Sequence, residues 1–177
     1  MSIKHVHVVP YDPAWPDAFS QERDRLREML GNSALAIHHV GSTSVPGLRA
    51  KPVIDILAEA ADLAGIDARA ASLESDGYEA RGEYGIENRR YFSRRVAGRR
   101  SVHLHVFPVG HPRIAGHLLF RDYLREHDDV AGEYGELKRR LARRYPRDRV
   151  AYQDAKAAFI QEVHRKAAEG RIERSSG

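Results

Sequence analysis

Gly41-Ser42-Thr43-Ser44 and Asp55 are the residues of this 177-residue chain whose types and spacing best suit chemistry. An apolar run ending at Val40 leads into Gly41-Ser42, and a second, Val53 to Leu57, carries the lone carboxylate of Asp55. Pro46, Gly47 and Pro52 defeat regular structure between the two runs. Glycine permits close approach to the backbone, successive N–H groups of a turn make an anion cradle, and a serine hydroxyl donates to a phosphate oxygen. Ser44, Arg49 and Lys51 stand where they can add phosphate contacts, although solvent-facing charge is the plainer role for the two cations. A carboxylate among Val53, Ile54, Ile56 and Leu57 is costly to bury unless it is paired, hydrogen-bonded or bound to metal.

His103 and His105 form a second group, because alternation along a predicted strand points both imidazoles to one face. The bland alternative is a pair of hydrogen-bonded histidines on a half-buried strand. Lys156 follows Tyr152 by four residues and shares its helical face, pointing toward a nucleotide or toward an ion pair with the sheet. Arg89, Arg90 and Arg94 lie near the Tyr91-Phe92 strand, where they could grip an acidic substrate; Arg90 and Arg94 would share one face, by default a solvated one.

Composition narrows the classes. The chain holds no cysteine, which excludes disulfides and thiolate chemistry and leaves oxygen and imidazole as metal donors. No apolar run approaches the ~18 residues of a membrane span, and no basic-plus-apolar leader is seen, so a cytoplasmic protein is expected. The formal charge of +4 is uneven: residues 1–110 hold 14 Lys/Arg and 14 Asp/Glu, whereas 111–177 hold 15 and 11. That favours an anionic partner near the C-terminal third, a nucleotide or RNA, against the plain reading of a solvated helix face.

The elements that must position these residues follow from periodicity. Asp12-Pro13 reads as a helix start, with Trp15, Phe19, Leu26, Met29 and Leu30 as its apolar stripe, interrupted by Glu22 and stopped by Gly31. Strands are predicted at 35–40 and 53–58, a helix over 62–76, and strands at 78–84, 90–96 and 101–107 with a turn at Gly98-Arg99. Beyond Pro108 the pattern is helical at 114–126, 129–145 and 148–168. In the second of these, Tyr134, Leu137, Leu141 and Tyr145 make the buried stripe and Lys138 lies mostly off it. This order predicts an α+β protein, a mixed sheet flanked by helices with a C-terminal group of about three helices. It is read as one domain over 1–172, an α/β core at 1–110 with a helical part at 111–170, and a disordered tail at 171–177.

The Val40-Gly41-Ser42 turn followed, after twelve intervening residues, by Asp55 resembles the signature of the GrpB-like family of the nucleotidyltransferase-fold superfamily. Val9-Pro10-Tyr11-Asp12-Pro13 with Trp15-Pro16, His103-Leu104-His105-Val106, Phe120-Arg121-Asp122-Tyr123-Leu124-Arg125, and Tyr152 with Lys156 and Phe159 resemble its other blocks, over roughly residues 5 to 168. The resemblance implies a nucleotidyltransferase-like sheet and a triphosphate held at Gly41-Ser42. It also implies a divalent metal (Mg, Mn or Zn) at Asp55. His39 matches a family position and is a candidate general base or further imidazole. Arg121 is a candidate phosphate contact, and Asp122, facing another way on the helix, could orient a histidine or make a structural salt bridge.

The chain departs from the superfamily at Leu57, where a second metal carboxylate should stand; Glu59 is one step too far along. Two-metal phosphoryl transfer needs several bridging oxygen ligands, so this loss counts against ordinary nucleotidyl transfer. His103 and His105 offer compensation, since with Asp55 they would form a three-ligand site suited to Zn, Mn, Fe or Ni more than Mg. Three readings stay open: a metal-dependent nucleotidyltransferase with an unknown acceptor, a binding protein for a nucleotide or other phosphorylated ligand, and a metal-dependent hydrolase. RNA binding ranks last, because no motif supports it.

Overall fold

The computed structural model describes residues 6–97 and 99–175, and the side chains of 6–97 and 101–170. It is an α+β arrangement around a five-stranded mixed sheet of order β1-β2-β5-β4-β3. The strands are β1 (Ala34–Val40), β2 (Ile54–Ala60), β3 (Tyr78–Ala80), β4 (Arg90–Val96) and β5 (Arg99–Pro108). β2 and β5 run parallel; every other pairing is antiparallel.

Strand alternation assigns the two faces. Ile54, Ile56 and Ala58 of β2, with Val102, Leu104 and Val106 of β5, pack under α1 (Trp15–Leu30), α2 (Leu63–Asp67) and α3 (Ala70–Ser75) through Leu26, Leu30, Ile66 and Leu73. Asp55, Leu57, His103 and His105 therefore point to the opposite face. There α4 (Pro112–Glu126), α5 (Asp128–Arg144) and α7 (Ala157–Ser175) gather around a second core of Val45, Leu48, Leu124, Val130, Tyr134 and Val163, and the short α6 (Arg149–Asp154) precedes α7 with its Tyr152 buried. A smaller cluster of Val40, Leu57, Phe107 and Ile114 joins α4 to the sheet.

Several elements differ from their sequence-based expectation for local reasons. α1 starts at Trp15, because Asp12 Oδ1 accepts from the Ala14 N–H at 2.9 Å and holds the preceding turn. The helix predicted over 62–76 is broken at Ala68-Arg69: Asp62 caps the first piece, and Asp67 at its end is engaged by Arg90 at 2.6 and 2.8 Å. β3 stops at Ala80 rather than 84, because the chain turns through positive φ at Gly82 (59°), Tyr84 (45°) and Gly85 (81°). The helix predicted over 148–168 divides at Ala155-Lys156. The turn predicted at Gly98-Arg99 falls partly outside the described residues. α7 continues to Ser175, into the stretch read as tail, since no proline follows Pro146 to stop it; residues 176–177 lie outside the described residues.

Glu22, which interrupted the apolar stripe of α1, is buried and fully engaged. It accepts from the Tyr78 hydroxyl at 2.5 Å and from Arg94 at 2.6 and 2.9 Å. A paired charge of this kind satisfies the demand that buried ions be hydrogen-bonded.

Candidate functional site

The Gly41-Ser42 turn is built by elements on both sides of the sheet. Gly41 takes φ 71° and ψ −174°, a conformation close to glycine-only, and residues 42–44 then make one 3-10 turn. Ser44 Oγ donates to the Gly41 carbonyl at 2.5 Å, Thr43 Oγ1 donates to the Val53 carbonyl at 3.1 Å, and Arg125 donates to the Ser44 carbonyl at 2.9 Å. Ser42 and Tyr134 of α5 line the same cleft. The leading N–H groups of a helical turn have no partner within it, which suits the Ser42 end of the turn to an anion.

This turn borders a cleft of about 740 Å³ between the open sheet face and the C-terminal helices. Lys51, Lys138, Lys156, Arg89, Arg113 and Arg149 line it, and Asp55 is the one carboxylate among the described residues of its lining. Lys51 and Lys156 both lie against the Tyr152 ring, at 5.2 and 4.5 Å from its centroid. Lys138 lies over the Tyr134 ring at 4.7 Å and donates to the Arg49 carbonyl. Burial, aided by Lys156 and Lys51, pushes the Lys138 ammonium down to about 6. Burial and Lys51 bring Lys156 to about 8, and burial lowers Lys51 also. Among the described residues no carboxylate pairs with any of these lysines. An anion entering the cleft would supply the missing charge.

At the centre of the sheet, β2 and β5 set Asp55 opposite His103 and Leu57 opposite His105. His103 Nδ1 lies 3.1 Å and His105 Nε2 3.7 Å from Asp55 Oδ1. Burial works to raise the Asp55 carboxyl, but the hydrogen bonds and charges of His103 and His105 outweigh it and hold it well below the usual carboxylate range. The carboxylate is 30% exposed, so it is open to the cleft rather than sealed. One ligand atom from each of the three residues falls within 4.8 Å of the others, a spacing that can hold a metal ion.

The donor set of one carboxylate oxygen and two imidazole nitrogens does not fit magnesium, which favours oxygen ligands in octahedra, and Leu57 leaves no second carboxylate. It fits a zinc-like ion by donor type. One contact opposes even that. His105 Nδ1 faces Arg89 Nη1 at 3.3 Å, and arginine only donates, so His105 keeps its proton on Nε2, toward Asp55. A histidine bound to metal through Nε2 would need an acceptor at Nδ1.

The other sequence candidates separate clearly. Gly41, Ser42, Lys51 and Lys156 line the cleft with the Asp/His cluster. Ser44 serves the turn itself. Arg49 contributes its carbonyl to Lys138, and its side chain is not among those lining the cleft. Arg121 donates to the His39 carbonyl at 3.2 Å and to Asp122 at 2.7 Å, fastening β1 to α4. His39 points to the α1 face, because its strand neighbours Val40 and His38 share the face of Asp55 and Leu57. It is buried, stacks on Phe19 at 4.7 Å and bonds Thr43 Oγ1 at 3.0 Å; burial lowers its imidazole to about 4.

Lys138, His117, His164, Arg113, Arg149 and Tyr84 line the cleft without having been singled out as site residues in the sequence. His117 lies 5.9 Å from His105 ring to ring, and burial lowers it to about 4. The available signal was helical spacing. Arg113, Gly116, His117 and Phe120 form one stripe of α4, Ile160 and His164 one of α7, and Tyr134 with Lys138 one of α5. Lys138 was placed off the buried stripe, yet it sits four residues after Tyr134 and is only 2% exposed.

A model of the GrpB protein family matches residues 5–166. The chain belongs to the GrpB family. It is 38% identical over 164 residues to the UPF0157 protein YqkA of Bacillus subtilis, covering 93% of this chain but 48% of that protein, so it spans about half of that relative's length. The crystal structure of GrpB from Enterococcus faecalis superposes with a TM-score of 0.87 at 36% identity, covering 94% of this chain and 99% of the other. A dephospho-CoA kinase of Mycolicibacterium paratuberculosis is 30% identical over 92% of this chain and 46% of its own length. Cid1 in complex with its short product ApU matches at a TM-score of 0.55 and 14% identity over 77% of this chain and 43% of Cid1. That last likeness shows a shared nucleotidyltransferase-like fold. No described helix is long and apolar enough to cross a membrane.

Proposed function

We propose that this GrpB-family chain binds a nucleotide or closely related phosphorylated small molecule in the cleft, with its phosphates at Gly41-Ser42 and the three lysines. The observation that carries this reading is the convergence of Lys51, Lys138 and Lys156, without a carboxylate partner among the described residues, beside a glycine turn. Burial and mutual repulsion lower Lys138 and Lys156, and an anion among the three lysines would favour their charged forms. Cid1 is known in complex with ApU and with the UTP analogue UMPNPP, and the mycobacterial relative is named dephospho-CoA kinase; both support a phosphorylated ligand. A bounded cleft beside the Asp/His cluster favours a small ligand over an RNA strand as the primary partner.

Calorimetric titration tests the proposal with tripolyphosphate, ATP and UTP against the wild type and Lys51→Ala/Lys156→Ala. The wild type should bind at least one of them, and the double variant should lose tenfold or more. A wild type indifferent to all three at millimolar concentration overturns it.

A second reading, metal-dependent transfer or hydrolysis, rests on the 4.8 Å grouping of Asp55, His103 and His105. Metal would act beside the phosphate, as a Lewis acid or by activating water. Metal analysis of the untagged protein decides it. Stoichiometric zinc or manganese that is lost in both Asp55→Ala and His103→Ala/His105→Ala supports the reading, and a protein still metal-free after soaking in Mn, Zn and Mg removes it.

A further inference from the structure

The 81–89 segment contains an exposed aromatic side chain that none of the phosphate contacts explains. Tyr84 is 60% exposed, lines the cleft, and adopts φ 45°, a left-handed conformation that is an outlier for a bulky residue. One face of its ring is stacked on Tyr91, centroids 5.1 Å apart and planes 15° from parallel. Tyr91 is itself buried, so Tyr84 is the exposed ring of the pair, and both line the cleft.

The backbone beneath this ring is fixed from inside. Arg89, 6% exposed, donates to the Glu83 carbonyl at 3.1 Å and the Tyr84 carbonyl at 2.7 Å, and its Cζ lies 4.9 Å from the Tyr91 centroid. Its remaining nitrogen faces His105, which ties the segment to the Asp/His cluster. A solvent-exposed loop residue would not need a buried arginine to hold its conformation.

The placement across the sheet adds a direction. Asp55 is on β2, His103 and His105 on the adjacent β5, and Tyr91 on β4 beyond it, register partner of His105. Strands lie about 4.8 Å apart, so the aromatic step begins roughly 10 Å from Asp55, on the side away from β1 and its Gly41-Ser42 turn. Phosphate groups at one end, a reactive cluster in the middle and a flat aromatic surface at the other match the order of parts in a nucleoside triphosphate.

We infer that Tyr84 is the base-stacking platform of the cleft, the residue that makes the ligand a nucleotide rather than a bare polyphosphate, with Arg89 as its positioning residue. The inference rests on the phosphate-binding reading above and adds the aromatic half of the ligand. Stacking on tyrosine tolerates any base, since every base has a π-face, so purine and pyrimidine nucleotides should both gain from it.

The test compares ATP, UTP and tripolyphosphate on the wild type, Tyr84→Phe, Tyr84→Ala and Tyr84→Gly. Glycine suits the positive φ, so Tyr84→Gly removes the ring without straining the fold. The inference predicts that both nucleotides bind the wild type more tightly than tripolyphosphate. Tyr84→Phe should keep that advantage, and Tyr84→Ala and Tyr84→Gly should reduce nucleotide affinity by roughly tenfold, within the range expected for one stacked base, with tripolyphosphate unchanged. Nucleotide affinity untouched by both truncations, or a parallel loss for tripolyphosphate, overturns the platform while leaving phosphate binding standing. A wild type that binds none of the three overturns both together.

Discussion

A Cβ atom on Gly41 would lie 2.7 Å from Oδ2 of Asp55. The Gly41-Ser42 turn and the central carboxylate are thus in direct contact, and the absence of a side chain at residue 41 is what lets them coexist. The neighbouring pair Val40 and Asp55 are register partners of β1 and β2, so the contact is fixed by the sheet itself.

Gly41→Ala should therefore damage both halves of the site. The glycine-only backbone alone costs about 1–3 kcal/mol for an alanine, and the clash with Asp55 adds to it. Urea denaturation should show that loss. The penalty should shrink in an Asp55→Ala background, where Oδ2 is gone, and an equal penalty in both backgrounds would argue against the contact.

Lys138 makes stability depend on pH in a defined direction. Its folded value is lowered to about 6, so between there and the ordinary lysine value near 10.5 the unfolded chain binds a proton that the folded chain does not. Stability contributed by this group rises with pH across that window and is lowest below it. Lys138→Met should flatten the rise between pH 6 and 9, as followed by denaturation at intermediate pH values. An unchanged slope would mean that Lys138 is not held in this way.

The same residue links ligand binding to protons. An anion beside Lys138 and Lys156 favours their charged forms, so tripolyphosphate binding at pH 8 should take up protons. Titrations in buffers of different ionisation enthalpy measure this directly; no buffer dependence would contradict it.

His39 should prove structural. His39→Gln should lower stability by about 1–2 kcal/mol through its buried hydrogen bond, yet leave tripolyphosphate affinity within twofold. Because burial lowers its folded value to about 4, the wild type loses stability as pH falls from about 6.5 to 4, and the variant should lose less. A large affinity loss at unchanged stability would restore it to the binding machinery.

Much of the frame was legible in the sequence because it is local. Pro46, Gly47 and Pro52 enforce the turn, and alternation along β5 puts His103 and His105 on one face whatever the rest of the fold does. Convergence was not legible. His39 and His38 are adjacent, and only pairing with β2 decides which of them shares the face of Asp55. Lys138, His117 and His164 come from three different helices whose docking is set by the Val45–Leu48–Tyr134 core, far from each in sequence. Lys138 also breaks the expectation that a lysine amid arginines lies on a solvated face. Arg89 was legible only as one of three arginines near a strand; its partners are backbone carbonyls of a turn that replaced a predicted strand.

The central claim is that the lysine-lined cleft holds the phosphates of a nucleotide. A crystal structure with a non-hydrolysable ATP analogue at millimolar concentration tests it most directly. The account predicts phosphate oxygens within hydrogen-bonding distance of Ser42 and of Lys156 or Lys138, with the base over Tyr84. An analogue bound outside this cleft, or a cleft left without it at saturating concentration, would contradict it.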